Sequence, residues 1–201
     1  MNNGIQIGTL SYNTFCYADD ILLSSLTVTG LQRLIESSNN YITAHGLRFN
    51  PTKTFCAVYG KPSIHINNPW TLAGEQLEVC DKISYLGAII SDNSADHVTG
   101  RVRAARRAFY LLQSSGLCCQ GVNPLVIAHI WSVAVRPVLT YGCSHTVVPY
   151  VSLKQRDIDS LEKTQGALLK VALGLPKVCR NSRLLAALNI SRIATWLSHH
   201  T

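Results

Sequence analysis

The chain has 201 residues, 47% of them apolar and 14% charged, enough to bury a core and too hydrophobic for a disordered segment. Its longest greasy stretch, PLVIAHIWSVAV from Pro124 to Val135, is interrupted by His129 and too short to span a bilayer. The N-terminal MNNGIQIGTL lacks the basic start and apolar run of a secretion signal, so an intracellular protein of nucleus or cytoplasm, without a membrane partner, is expected. The net charge of +7 is uneven: residues 1–96 hold five Lys/Arg against eight Asp/Glu (net −3), and residues 97–201 hold thirteen against three (net +10). Such a division suits a carboxylate-bearing first part and a polyanion-facing second part, or simply a solubilising surface.

Two runs rich in β-branched, aromatic and aliphatic residues open the chain, TLSYNTFCY (9–17) and ILLSS (21–25). They predict paired strands, with Ala18-Asp19-Asp20 as the tight connection of a hairpin. A helix follows: Thr29 and Gln32 have the form of a capping box, Leu31, Leu34, Ile35, Ile42 and His45 recur at helical spacing, and Gly46 ends the element. Asn50-Pro51 marks a loop ahead of a strand, 61–70 reads as a turn region, and further strands are expected near 70–72, near 76–79 and from about Ile83 to Ile90. Hairpin, helix and antiparallel strands make an α+β pattern.

Character changes near Asp92, where the charge also shifts, and a domain boundary is placed there. Helices are predicted from about His97 to Ser114, from Asn123-Pro124, from Ser152 (with Gln155 in capping-box form) to Gly174, and from Ser182 onward. On a helical wheel Val102, Ala105, Phe109 and Leu112 form one apolar stripe, with Arg103, Arg106 and Arg107 opposite it. Three guanidinium groups on one face are either a solvated surface or a track along a phosphate backbone. The seven cysteines include no C-x-x-C, and Cys118, Cys119, His129, Cys143 and His145 match no compact zinc spacing, so buried free thiols are expected.

The sharpest chemical feature is Asp19-Asp20. Adjacent carboxylates repel and suit a core poorly, so the pair is stable only when solvated or offset by cations. At a hairpin tip it is either a solvated turn or a ligand set for a divalent metal held on a rigid sheet end.

The flanking residues bring a resemblance. FCYADDILLSS, Phe15 to Ser25, resembles the Y-x-D-D catalytic hairpin of reverse transcriptases, in the form found in non-LTR (LINE-type) retrotransposons. Further matches follow in the family's order. Gly46, Leu47, Asn50 and Lys53 resemble the G-L-x-x-N-x-x-K palm motif, and GEQLEVCDKISYLGAII, with Tyr85-Leu86-Gly87, resembles the strand pair that grips the primer terminus. RVRAARRAFYLL resembles the first thumb helix, and RPVLTYGCSHTV and LEKTQGALLKVALGLP resemble segments that follow it. The resemblance covers nearly the whole chain. It implies the C-terminal part of a palm over 1–92, thumb-like helices over 93–148 and a helical extension over 149–201.

By that resemblance Asp19 and Asp20 are the catalytic metal ligands, for Mg²⁺ or Mn²⁺ in the complete enzyme. Tyr17 lies near the primer end and incoming nucleotide, joined in primer binding by Tyr85, Leu86 and Gly87. Lys53 faces the triphosphate as proton donor or point charge, where its bland reading is a surface lysine after a turn. Arg103, Arg106 and Arg107 contact the backbone of an RNA template and DNA primer. The family's pattern also requires an aspartate from an earlier palm strand, together with fingers. Only sixteen residues precede Tyr17, none of them acidic. The expectation is therefore a fragment of an RNA-directed DNA polymerase, inactive by itself and in need of the N-terminal polymerase segments. The alternative is a non-catalytic nucleic-acid-binding protein that uses the basic helical half.

Overall fold

A computed structural model describes residues 5–7, 9–60, 70–143 and 153–199. The chain is mixed α+β and divides into two compact units, Met1–Leu86 and Gly87–Thr201.

In the first unit β1 (Ile5–Ile7) pairs antiparallel with β2 (Leu10–Tyr12), and β3 (Thr14–Tyr17) with β4 (Asp20–Leu23). The run expected as one strand over 9–17 is broken at Asn13, a poor strand former, whose carbonyl still accepts from the Ser24 N–H at 2.8 Å. Helix α1 spans Val28–Ala44. Its N-cap is Thr27, whose hydroxyl accepts from the Gly30 N–H at 3.1 Å, and not the expected Thr29. The Gln32 side chain is committed elsewhere: its amide donates to the Thr71 carbonyl at 3.1 Å and accepts from the Thr71 N–H at 3.0 Å. Tertiary pairing has taken the partner that a capping box needs. Gly46, at φ +75°, ends the helix as expected, with Leu47 N–H reaching back to the Ile42 carbonyl.

Asn50 caps a single 3₁₀ turn, Pro51–Lys53, by accepting from the Thr52 N–H at 3.0 Å. Then come β5 (Phe55–Ala57), β6 (Thr71–Leu72), β7 (Glu75–Gln76), β8 (Glu78–Cys80) and β9 (Lys82–Tyr85). The strands are not all antiparallel as expected: β5 runs parallel to β8, with Phe55 opposite Glu78 and Ala57 opposite Cys80. A parallel pair cannot be closed by a tight turn, and residues 58–77 lie between these two strands in the chain. Among the described residues every sheet has two strands. A small core forms where Ile35 of α1 meets Cys56, Trp70, Leu72 and Leu77, with the Trp70 indole N–H donating to the Val28 carbonyl at 3.0 Å. His45, expected on the apolar face, is exposed, its ring centre 4.4 Å from that of Tyr41 with the planes tilted by 38°.

The strand expected over Ile83 to Ile90 is two strands. β9 stops at Tyr85, Leu86 (φ +48°) and Gly87 (φ +76°) turn the chain, and β10 (Ala88–Ser91) opens the second unit. Successive positive φ values at two residues are those of a tight hairpin turn.

Helices make up the rest: α2 (Ser94–Ser114), α3 (Pro124–Ile130), a π-type turn over Trp131–Val135, α4 (Arg136–Thr140), α5 (Gln155–Leu173), α6 (Asn181–Ala187) and α7 (Ile193–His199). Helix α2 begins three residues before the expected His97, because Asn93 accepts from the Ala95 N–H and caps it there. Asn123 and Pro124 start α3 as expected. The widened turn lies just ahead of Pro137, which has no N–H to return to the Val133 carbonyl. Helix α5 begins at Gln155, with the Asp157 carboxylate accepting from the Lys154 N–H at 3.1 Å; Ser152 lies outside the described residues. The single last helix expected from Ser182 is α6 and α7. Their core contains Val98, Ala105, Phe109, Trp131, Val135, Leu139, Leu161, Leu169 and Ile193.

His97, 2% exposed, pins this unit together. Its Nδ1 accepts from the Ile89 N–H at 3.1 Å, which leaves Nε2–H to donate to the Tyr141 carbonyl at 2.8 Å. Gly142 (φ +66°) permits this approach, since a Cβ there would sit 3.0 Å from Nε2. Burial lowers the imidazole pKa, the bond to Tyr141 opposes that, and Arg101 adds to the lowering. A proton on Nδ1 would also face the Ile89 N–H with a second donor. A folded pKa below the unfolded value means the contribution is present above pH 6.5 and is lost as pH falls through the folded value. The melting temperature of this unit is therefore expected to drop as the pH falls below about 6.5. His97→Gln should be less stable at neutral pH and show a flatter profile over that window; an unchanged profile would refute this role.

Candidate functional site

The β3–β4 hairpin is a two-residue turn. Tyr17 pairs with Asp20, and Ala18 and Asp19 form the loop. Asp20 is thus the first residue of β4 rather than part of the connection. Ala18 adopts φ +51°, a left-handed conformation that a side chain rarely takes and that matches the turn to the twist of the strands. Asp19 and Asp20 are both exposed at this tip, and Tyr17 beside them is 66% exposed. Carboxylates so placed are solvated and open to a divalent ion.

Tyr85 reaches the same hairpin from β9. Its hydroxyl donates to the Phe15 carbonyl at 3.3 Å. Burial raises the pKa of that hydroxyl, and the Cys16 thiol and the Asp20 carboxylate push it the same way. Tyr17, Asp19, Asp20 and Tyr85 therefore share one locality, although 65 residues separate Asp20 from Tyr85 in the chain. Leu86 continues from Tyr85 into the turn and is 37% exposed, and Gly87 is the first residue of the next unit. Lys53 is exposed at the end of its 3₁₀ turn, and among the described residues no ion pair joins it to either aspartate. The residues on either side of it, Thr52 and Thr54, line a cleft of about 280 Å³ together with Phe55, Glu75 and Glu78.

Among the described residues no three His, Cys, Asp or Glu side chains converge on a common point. The hairpin thus offers two carboxylates, and among the described residues no cysteine completes a three-ligand group with them. Cys56, Cys118 and Cys143 are buried, and burial drives the Cys143 thiol up to about 12 and Cys56 up to about 11. His145 lies outside the described residues.

On α2 the expected division of faces is present. Val102 and Leu112 are partly buried, Ala105 and Phe109 fully so, and Arg103, Arg106 and Arg107 are exposed. Arg101 turns inward instead, its guanidinium 5.5 Å from the centre of the Tyr141 ring. Sequence reading missed Tyr110, which is 50% exposed and lies seven residues beyond Arg103 on the same helical stripe. The i+7 spacing was a legible signal. An aromatic ring among guanidinium groups is a surface able to take both phosphate and base. Also missed was the buried Asp157, which accepts from the Ser94 hydroxyl at 2.5 Å and so ties the first turn of α5 to that of α2.

No helix among the described residues is long and apolar enough to cross a membrane. The chain matches no protein-family model, no curated protein and no solved structure.

Proposed function

We propose that the chain carries the metal-binding hairpin, the palm residues that follow it and the thumb of an RNA-directed DNA polymerase of the non-LTR retrotransposon type. The observation that carries this reading is the meeting of Tyr85 with the Asp19-Asp20 hairpin. In such a polymerase a primer-gripping strand must lie beside the metal ligands, because the primer hydroxyl attacks at the metal. The uncovered face of the hairpin agrees. All four residues of β3 are exposed, the Phe15 ring stacks on that of Tyr12 at 6.4 Å, and Ile21 is 37% exposed. Further palm strands would cover such a surface.

In this reading Asp19 and Asp20 hold Mg²⁺ or Mn²⁺, which would supply charge neutralisation at the leaving pyrophosphate and activation of the primer hydroxyl. Exposed carboxylates at a fixed turn fit that role. Tyr17 and Tyr85 bound the space in which a primer end would rest, and Lys53 supplies a cation for the triphosphate. Two carboxylates are one too few for a paired-metal site, so catalysis needs a further acid from outside these residues.

Two measurements test this. Tb³⁺ added to the protein should luminesce through Tyr17, and the signal should vanish in Asp19→Asn/Asp20→Asn but persist in Glu75→Gln/Glu78→Gln. Primer extension on an RNA template with Mg²⁺ should not rise above an Asp19→Ala control for this chain alone. Luminescence indifferent to the aspartates would refute the metal assignment, and extension above the control would refute the claim of incompleteness.

The exposed Arg103, Arg106, Arg107 and Tyr110 stripe favours a second reading, a nucleic-acid-binding protein that acts without catalysis through its helical unit. It predicts binding that is indifferent to Asp19→Ala.

A further inference from the structure

From Lys163 to the end of the chain there are six Lys/Arg residues and no Asp or Glu. The fold gathers five of these cations. A Cβ on Gly166 would lie 2.4 Å from the Asn181 side chain, so the first residue of α6 rests directly on Gly166 of α5. Lys163 and Lys170 stand three residues before and four residues after Gly166, on the same face of α5. The Lys170 ammonium donates to the Lys177 carbonyl at 3.0 Å, which draws the 175–180 loop over that face. Arg180 immediately precedes Asn181, and Arg183 is exposed on α6. Two acids stand at the Lys163 end: Glu162 accepts from Arg192 at 2.7 and 3.1 Å through its Oε2 and from the Ala194 N–H through its Oε1, and the exposed Asp159, one turn before Lys163, accepts from the Gln155 amide at 2.9 Å.

From this arrangement we infer that Lys163, Lys170, Lys177, Arg180 and Arg183 form a binding surface for the phosphate backbone of a nucleic acid, separate in sequence and element from the α2 stripe. The inference rests on the reading of the helical unit as a nucleic-acid binder and adds a site to it. Four of the cations, Lys170 to Arg183, have no acid between them in the chain, and such a cluster holds a counter-ion atmosphere that a polyanion displaces. Their layout is extended rather than compact: Lys163 to Lys170 alone spans about 10 Å along the helix at 1.5 Å per residue. Extended charge suits a strand of phosphates better than a single anion. A bilayer is the poorer fit, because the 175–180 loop exposes two large hydrophobic side chains, Val178 at 88% and Leu175 at 38%, which leaves little apolar surface to insert.

The test measures binding of a short single-stranded RNA and of a short DNA duplex by the full chain across a salt series. Lys177→Gln/Arg180→Gln/Arg183→Gln should reduce the slope of log K against log salt by about two and affinity at about 0.1 M salt by about 100-fold. The equally charged control Arg33→Gln/Arg48→Gln/Lys82→Gln should change neither beyond a few-fold. Lys177→Arg/Arg180→Lys/Arg183→Lys should bind as the parent does, which separates charge from misfolding. If the Gln triple binds like the parent while the α2 arginine triple loses binding, this surface is refuted and the α2 reading stands. If the α2 triple is silent and the Gln triple weakens binding, the α2 reading fails and this surface stands. Loss of binding to phosphatidylserine vesicles with RNA and DNA binding intact would also overturn the inference, in favour of a membrane surface.

Discussion

Alanine at Arg103, Arg106 and Arg107 together is expected to weaken binding of single-stranded RNA or duplex DNA by about 100-fold at about 0.1 M salt. Each cation that neutralises a phosphate contributes about 0.7–0.9 to the slope of log K against log salt, so three contribute a little over two, and the electrostatic term shrinks towards zero near 1 M. At one decade below that concentration the three contacts therefore amount to just over two decades of affinity. Folding should not intervene. All three side chains are exposed, and alanine is a better helix former than arginine. Lysine at the same positions should retain most of the affinity and the slope. Tyr110→Ala should weaken RNA more than duplex, because stacking needs an unpaired base. A parent slope near zero, or an alanine triple that binds like the parent, would remove α2 from the nucleic-acid interface.

Gln165→Leu should have the largest effect on stability. Gln165 is fully buried, accepts from the Trp131 indole N–H at 3.2 Å and donates to the Ser191 carbonyl at 3.3 Å. It joins α5 to the π-type turn on one side and to the residues before α7 on the other. Leucine is close in size but has no polar atom, so the Trp131 indole N–H is left unsatisfied in the core, while the Ser191 carbonyl, on an exposed residue, can turn to water. The stranded indole N–H costs about 1–3 kcal/mol, a large share of the whole stability of many domains. Gln165→Leu/Trp131→Phe removes the stranded indole N–H and should recover part of the loss relative to the sum of the two single changes. Chemical denaturation of the four proteins measures this. Strict additivity would show that the indole bond contributes nothing.

Local signals were legible where one residue type has one use. Asn123-Pro124 began a helix, Gly46 and Gly174 ended helices in left-handed conformations, and the 3.6-residue repeat of Val102, Ala105, Phe109 and Leu112 found the buried face of α2. Errors arose where a distant partner outbid a local one. Thr29 and Gln32 had the right spacing for a capping box, yet Thr71 took the Gln32 amide and Thr27 took the cap. Ile83 to Ile90 read as one apolar strand, and only the positive φ values at Leu86 and Gly87 divide it. The parallel pairing of β5 with β8 was equally hidden, because periodicity reports which face a strand buries and not which strand it meets.

By itself the sequence determined the α+β order, the acidic pair on a hairpin, the basic stripe and the change of character near Asp92. Each of these depends on residues close in the chain, where spacing alone sets geometry. Tertiary structure decided that Tyr85 meets the hairpin bearing Asp19 and Asp20, that His97 clasps Ile89 and Tyr141, and that Gly166 lets α6 settle among lysines. Those juxtapositions depend on which buried surfaces find one another, and that is set by packing over the whole unit rather than by any local repeat.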